Sequence, residues 1–369
     1  MEHAARRSLP SSSVFAPHAV TLTGPRIVAV GGGTGLPAVL QGLSTQLASV
    51  SAGAPAWPRD LLTAIVTVTD DGGSSGRLRR ELGMLPPGDV RNCLAALAAR
   101  PSALTAVLQH RFTAGHGLTG HTVGNLILAA LTEMDGDFVS AIEKLSDLLE
   151  CRGRVLPASV ERASLEAEFV DGERAAGETA IVACRRRISR IALARRVRPL
   201  PDALRALVNA DAIVVGPGSL YTSLLPNLLV DGIAPTLFST RAVRILVANL
   251  TTQPGETDGL ALEDHLAVVK QHVGYDLFDY VLVNREPVPP AAATRSATGA
   301  RPLRRAAAAQ WIGSARVIER DLSWEHDDGR LRHAPACLGA AILELCALGR
   351  PRAGRISRFP RGGARARRP

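Results

Sequence analysis

Three times in this chain a short β-branched run ends in a glycine-rich loop and passes into a helical pattern. Residues 26–30 (Arg-Ile-Val-Ala-Val) lead into Gly31-Gly32-Gly33-Thr34-Gly35 and an apolar helical repeat from Leu36 to Leu47. Residues 65–69 lead into Asp70-Asp71-Gly72-Gly73-Ser74-Ser75-Gly76-Arg77. Residues 211–215 lead into Gly216-Pro217-Gly218-Ser219-Leu220-Tyr221-Thr222-Ser223 and an apolar run through Val230. Strands that alternate with helices pair in parallel, because the chain must cross back before it can pair again. The expected fold is therefore α/β, a Rossmann-like, mostly parallel sheet flanked by helices. In such a sheet the polar loops gather at the carboxyl ends of the strands, where ligands bind.

The three loops carry a consistent chemistry. A glycine-rich loop that opens a helix turns backbone N–H groups towards one point, and the helix dipole adds partial positive charge there. Such a loop suits phosphate, and it also suits tight strand–helix packing. The spacing at residues 31–35 fits neither a dinucleotide fingerprint nor a Walker lysine loop, and no acidic residue ends a second strand in the dinucleotide register. Asp70 and Asp71 can hold a Mg²⁺ ion or accept sugar hydroxyls. As neighbours on an extended strand end they point to opposite sides, so one faces the ligand and the other steadies the loop. Arg77 follows as a cation.

Four further stretches add candidate groups. Pro86-Pro87-Gly88-Asp89 reads as a rigid turn with Asp89 as helix N-cap, which places Arg91 and Asn92 on the first helical turn. His121 and Asn125 lie four apart at a second helix start and share a face. The run 244–249 ends in Asn249-Leu250-Thr251-Thr252-Gln253-Pro254-Gly255-Glu256-Thr257, whose amides, hydroxyls and carboxylate suit a sugar or a base. Residues 156–191 alternate polar with apolar around Asp171-Gly172, a hairpin signal, and 179–182 reads as one of the strands. This predicts an antiparallel β insertion, about 155–195, on the main sheet. A strand at 280–284 and an Ala/Leu helix at 337–348 complete the core.

Composition narrows the classes. The formal charge of +9 has the sign of a nucleic-acid binder, but residues 350–369 hold eight arginines and no acid, so the rest is within one charge of neutral. Only Lys144 and Lys270 are lysines among 43 basic residues, a skew we read as the codon composition of a GC-rich genome. The odd count of five cysteines without a CxxC spacing points to reduced, mostly buried thiols. No apolar run of spanning length occurs, so a soluble, cytoplasmic protein without membrane insertion is expected. The expected organisation is an extension (1–24), one Rossmann-like domain (25–349) and an arginine-rich tail (350–369).

The runs GGGTGL (31–36), TDDGGSSGRLR (69–79), PPGDVRNC (86–93), GHTVGNLILAAL (120–131), GPGSLYTSLLPNLLV (216–230) and NLTTQPGET (249–257) together resemble the gluconeogenesis factor family. This is the YvcK-type group of UDP-N-acetylglucosamine-binding proteins, fold-related to the 2-phospho-L-lactate transferases. The resemblance spans residues 25–349. It implies a Rossmann-like fold, a cytoplasmic protein, binding of a UDP-sugar, and a role in growth on gluconeogenic carbon and in cell shape through peptidoglycan precursor supply. We expect no required cofactor, Mg²⁺ being possible, and expect further copies of the chain as partners but no nucleic acid. The candidate ligand-binding residues are Gly31 to Gly35, Asp70, Asp71, Gly72, Gly73, Ser74, Arg77, Arg91, Asn92, His121, Asn125, Gly218, Ser219, Tyr221, Asn249, Gln253 and Glu256. No catalytic residue is assigned; the alternative is a Mg²⁺-dependent transferase of the 2-phospho-L-lactate type. Two runs depart from the family pattern, at Thr251 and at His333-Ala334-Pro335-Ala336-Cys337-Leu338.

Overall fold

In the computed structural model, residues 24–50, 58–326 and 329–351 are described; the expected extension apart from Gly24, and all but the first two residues of the tail, lie outside them. The main sheet has eight strands in the order β10-β11-β9-β8-β7-β1-β2-β3. They are β1 (Ile27–Gly31), β2 (Leu62–Val66), β3 (Arg154–Pro157), β7 (Ala212–Val215), β8 (Val243–Val247), β9 (Tyr280–Asn284), β10 (Trp311–Ile312) and β11 (Ala315–Arg320). All pair in parallel except β10 with β11. Every residue of β1, β2, β7 and β8 is buried. That is the reason these strands read as continuous apolar runs: helices cover both faces of a parallel sheet.

Helices α1 (Gly35–Val50), α2 (Gly73–Leu82) and α3 (Gly88–Leu97) follow the first two strands, then α4 (Ala103–Gln109), α5 (Val123–Asp135) and α6 (Phe138–Leu148). The helix Pro335–Leu348 packs against α1 backbone to backbone. A Cβ at Gly42 would stand 1.9 Å from the Pro335 carbonyl oxygen, and one at Gly339 2.5 Å from Gly42.

Four expectations need correction. The second strand is Leu62–Val66 rather than 65–69, because Thr67 to Thr69 run on past the sheet edge, the Thr67 N–H bonding the Gly31 carbonyl. The insertion is its own sheet, of order β5-β4-β6, with β4 (Leu165–Phe169), β5 (Arg174–Ala176) and β6 (Ile188–Leu193), while β3 belongs to the main sheet. Residues 179–182 are helical, within α7 (Glu178–Cys184), since Gly177 at φ +91° breaks the strand and a short apolar run carries no period of its own. Of the cysteines only Cys93 and Cys151 are buried; Cys184 and Cys337 are exposed. Among the described residues no helix is long and apolar enough to cross a membrane. A two-stranded ribbon, β12 (Ser323–Glu325) with β13 (Leu331–His333), precedes the last helix.

Candidate functional site

The strand order reverses at β1. The chain proceeds to β2 and β3 on one side, then returns to lay β7, β8 and β9 on the other. The loops after β1 and β7 therefore flank the point where an open α/β sheet leaves a crevice. They touch: a Cβ at Gly35 would lie 2.3 Å from the Pro217 carbonyl oxygen, and one at Gly218 3.5 Å from that of Gly32. Only glycine fits at 35. Gly33 (φ +63°) and Gly216 (φ +80°) take the left-handed conformation that such turns need. The buried Asn227 pins the pair, its Nδ2 donating to the carbonyls of Gly31 (3.0 Å) and Ser223 (2.7 Å). Thr34 is exposed at the mouth of α1.

Carboxylates of the chain itself occupy some of the donors that these loops present. Asp89 does not cap its own helix, whose N-cap is Pro87. It reaches across and accepts the Gly33 N–H at 2.7 Å. Glu256, buried, accepts from the backbone N–H groups of Tyr221 and Thr222 and from the Ser219 and Thr222 hydroxyls. Desolvation pushes the Asp89 acid up to about 6, with the negative charge of Asp70 adding to it and the Gly33 N–H opposing it. Desolvation likewise raises Glu256 to about 7 against its hydrogen bonds.

The adjacent aspartates diverge. Asp70 Oδ1 accepts the Gly72 N–H (2.9 Å), and its Oδ2 lies 3.3 Å from where a Gly88 Cβ would stand. Asp71 turns to the insertion and accepts from Thr179 through both N–H (2.9 Å) and hydroxyl (2.7 Å). Gly73 (φ +47°) then opens α2 behind its N-cap Gly72. Beside them Glu178 is raised to about 9, by desolvation and then by the charges of Asp70, Asp89, Glu256 and Asp71. Sequence reasoning missed Glu178 and Thr179 and gave Asp89 another task. The glycine–glutamate pair at 177–178 was the available signal, hidden by reading the following residues as a strand.

Ser74, Arg91, Asn92, His121 and Asn125 form one network, 47 and more residues apart in sequence for the serine's partners. Ser74 Oγ lies 2.9 Å from His121 Nδ1 and accepts from Asn125 Nδ2 at 3.0 Å. Arg91 donates to Thr122, to Asn125 Oδ1 (2.9 Å) and to Asn92 Oδ1 (2.7 Å). Desolvation and the nearby Arg77 lower the His121 pKa, so the ring is neutral at pH 7. The network clamps α2, α3 and α5 together behind the Asp70 loop. Arg91 is buried in it, and Arg77 spends its guanidinium on the Thr119 carbonyl (2.6 Å), so neither is aimed at the glycine loops.

Beyond β8, Asn249 pairs twice with Gly218, accepting its N–H (3.0 Å) and donating to its carbonyl (2.8 Å). Gln253 accepts the Leu220 N–H (3.2 Å) and donates to Ser219 Oγ (2.7 Å). These amides shape the third loop. Tyr221 is separate from the loops' crevice: its buried ring packs edge-on against His272, 6.2 Å between centroids.

A model of the 2-phospho-L-lactate transferase CofD family matches residues 27–322. The gluconeogenesis factor of Listeria monocytogenes is 39% identical over 325 residues, 88% of this chain and 96% of that protein. That of Bacillus subtilis is 46% identical over 266 residues, 72% of this chain and 80% of that one. The chain belongs to the gluconeogenesis factor family. A crystal structure of a UPF0052-family protein from Bacillus halodurans superposes with a TM-score of 0.79 at 41% identity, covering 87% of this chain and all of that one.

Both departures from the family's runs have a structural place. In this member of the gluconeogenesis factor family Thr251 is half-buried and bridges to Pro302, and the Thr252 N–H donates to the Arg301 carbonyl while the Thr252 hydroxyl accepts the Arg301 N–H. The strand end before the site is thus tied to a later segment. The imidazole of His333 is lowered to about 4 by lost solvation, and its Nε2 meets the Ala248 carbonyl at 3.2 Å. It is a neutral strut under β8. Among the described residues, no three His, Cys, Asp or Glu side chains are grouped as metal ligands. Asp70 and Asp71, pointing apart, do not suit a shared Mg²⁺.

Proposed function

We propose that this chain is a cytoplasmic binding protein for a UDP-sugar, UDP-N-acetylglucosamine by the family resemblance, held in the switch-point crevice as a regulatory signal. Its role would be in growth on gluconeogenic carbon and in supplying the peptidoglycan precursors on which cell shape depends. The observation that carries this reading is the contact of two glycine loops across the switch point, with Asp70 on the neighbouring loop after β2. Backbone donors suit a diphosphate and a free carboxylate oxygen suits ribose or sugar hydroxyls. Two of the acids carry little or reduced charge at neutral pH, Glu178 (about 9) being protonated and Glu256 (about 7) half so, while Asp89 (about 6) stays mostly ionised on the Gly33 N–H. The gluconeogenesis factor relatives support the regulatory role. The match to the 2-phospho-L-lactate transferase family favours a second reading, a Mg²⁺-dependent transferase.

Calorimetric titration with UDP-N-acetylglucosamine, UDP-glucose, GDP and NAD, each with Mg²⁺ and with chelator, separates the two. The binding reading expects a UDP-sugar preference that survives chelation and no turnover of the bound ligand. Binding that vanishes with chelator and returns with Mg²⁺ would overturn it in favour of the transferase. Asp70→Asn should weaken UDP-sugar binding by about 1.5–3 kcal/mol, the range for a charged hydrogen bond. An unchanged Kd in that variant would remove Asp70 from the ligand.

A further inference from the structure

A groove of about 650 Å³ opens beside the first glycine loop, lined at its mouth by Thr34 and Asn92. Its size is that of a small-molecule site. Three elements make its walls. Helix α1 descends along it from Pro37 through Gln41 to Thr45, α3 descends opposite through Ala96, and α4 climbs back past Ala106 to Gln109. From Thr34 to Thr45 it runs about 16 Å, at 1.5 Å per helical residue. The mouth is continuous with the crevice, since Thr34 follows Gly33, whose N–H is bound by Asp89 on the same helix as Asn92.

The lining has a definite chemistry. Alanines keep the floor low, so a ring has room to lie between the helices. The carboxamides of Gln41 and Gln109 make no side-chain hydrogen bond among the described residues, and each side chain is exposed. Asn92 uses its Oδ1 on Arg91, which leaves its NH₂ as the donor. A carboxamide both donates and accepts, and so matches a hydroxyl or an acetamido group, which do the same. Among the described residues no carboxylate lines the groove, and its charged lining residues are Arg100, largely exposed, and Arg152. A second phosphate-binding loop is thus absent from its described lining, and a strongly cationic ligand has no partner there.

We infer that this groove takes the saccharide end of the ligand, an uncharged hydroxyl- and amide-bearing ring, while the glycine loops take the diphosphate. The inference rests on the UDP-sugar reading above and adds to it the place and chemistry of sugar recognition, which the sequence had assigned to residues 249–257. Asn249 and Gln253 are instead committed to the backbone of the third loop.

The test compares UDP with UDP-N-acetylglucosamine on the full chain by calorimetry. Two variants probe the groove: Ala106→Trp, which fills it from an exposed helix position, and the double variant Gln41→Ala/Gln109→Ala, which removes carboxamides without adding bulk. The groove reading expects wild type to bind the UDP-sugar at least tenfold more tightly than UDP. It expects both variants to lose most of that advantage while keeping the affinity for UDP within about twofold. Variants that hold the UDP-sugar like wild type would overturn the groove and leave the crevice standing. A wild type that binds neither UDP nor UDP-N-acetylglucosamine would overturn the nucleotide-sugar reading and this inference with it. A Trp variant that misfolds is recognised by its circular dichroism, and the double alanine variant then decides.

Discussion

Replacing Asp279 by alanine is expected to destabilise the protein by about 3–5 kcal/mol, the usual cost of leaving one half of a buried ion pair without its partner. Arg244 on β8 and Asp279, just before β9, are 6% and 7% exposed. The guanidinium engages both carboxylate oxygens, NH2 to Oδ1 at 2.7 Å and Nε to Oδ2 at 2.9 Å, and the Arg244 N–H adds a third bond at 3.0 Å. Removal of the acid strands a desolvated guanidinium between two central strands. Lys270–Asp276 provides the contrast: its side chains are 57% and 44% exposed, and solvent screening leaves Asp276→Ala worth less than about 1 kcal/mol. Urea denaturation of the two variants measures the difference. Equal midpoints would mean that the buried pair adds nothing beyond an exposed one. Because this pair sits at the amino ends of its strands, opposite the glycine loops, UDP-sugar affinity of the folded variant should match wild type.

The pattern of the chain announced the parallel sheet because buried parallel strands are apolar on both faces, and residues 27–31, 212–215, 245–247 and 280–283 are of that kind. Glycine loops marked the switch point, where Gly35 is required by a backbone contact that no other residue permits as easily. What each polar side chain does was less legible. Asp89 has the sequence context of an N-cap, and only the neighbouring strand's loop, 56 residues away, gives it a better donor at Gly33. Residues 179–182 have no period that separates strand from helix, so α7 and the approach of Glu178 and Thr179 to Asp71 stayed hidden. Asn249 and Gln253 look like ligand amides in sequence; their commitment to Gly218, Ser219 and Leu220 follows from β7 and β8 being neighbours in the sheet.

The other large effect concerns Glu256 and pH. Its acid is raised from 4.5 in the unfolded chain to about 7 in the fold, with desolvation as the first cause. A raised folded pKa means that the protonated form fits the fold better than the ionised one. Its contribution is therefore fully present below pH 4.5 and is lost as pH rises through 7. At about 1.4 kcal/mol per pKa unit, wild type should lose about 3 kcal/mol between those limits on this group's account. Glu256→Gln keeps an oxygen to accept the Tyr221 and Thr222 N–H groups, has an amide that can donate to a neighbouring hydroxyl, and does not ionise. The variant should accordingly gain on wild type between pH 5 and pH 8, by about 2–3 kcal/mol in urea denaturation. Asp89 and Glu178 also have raised pKa values and face the same crevice, so the difference between the two proteins, rather than either curve alone, isolates Glu256. A difference that stays flat with pH would mean that Glu256 is ionised throughout. The same proton bears on the ligand: an ionised Glu256 holds the donors after β7 with a full charge and repels a diphosphate. UDP-sugar binding to wild type should tighten as pH falls from 8 to 6, and the Gln variant should show a shallower slope, the remainder coming from Asp89 and Glu178.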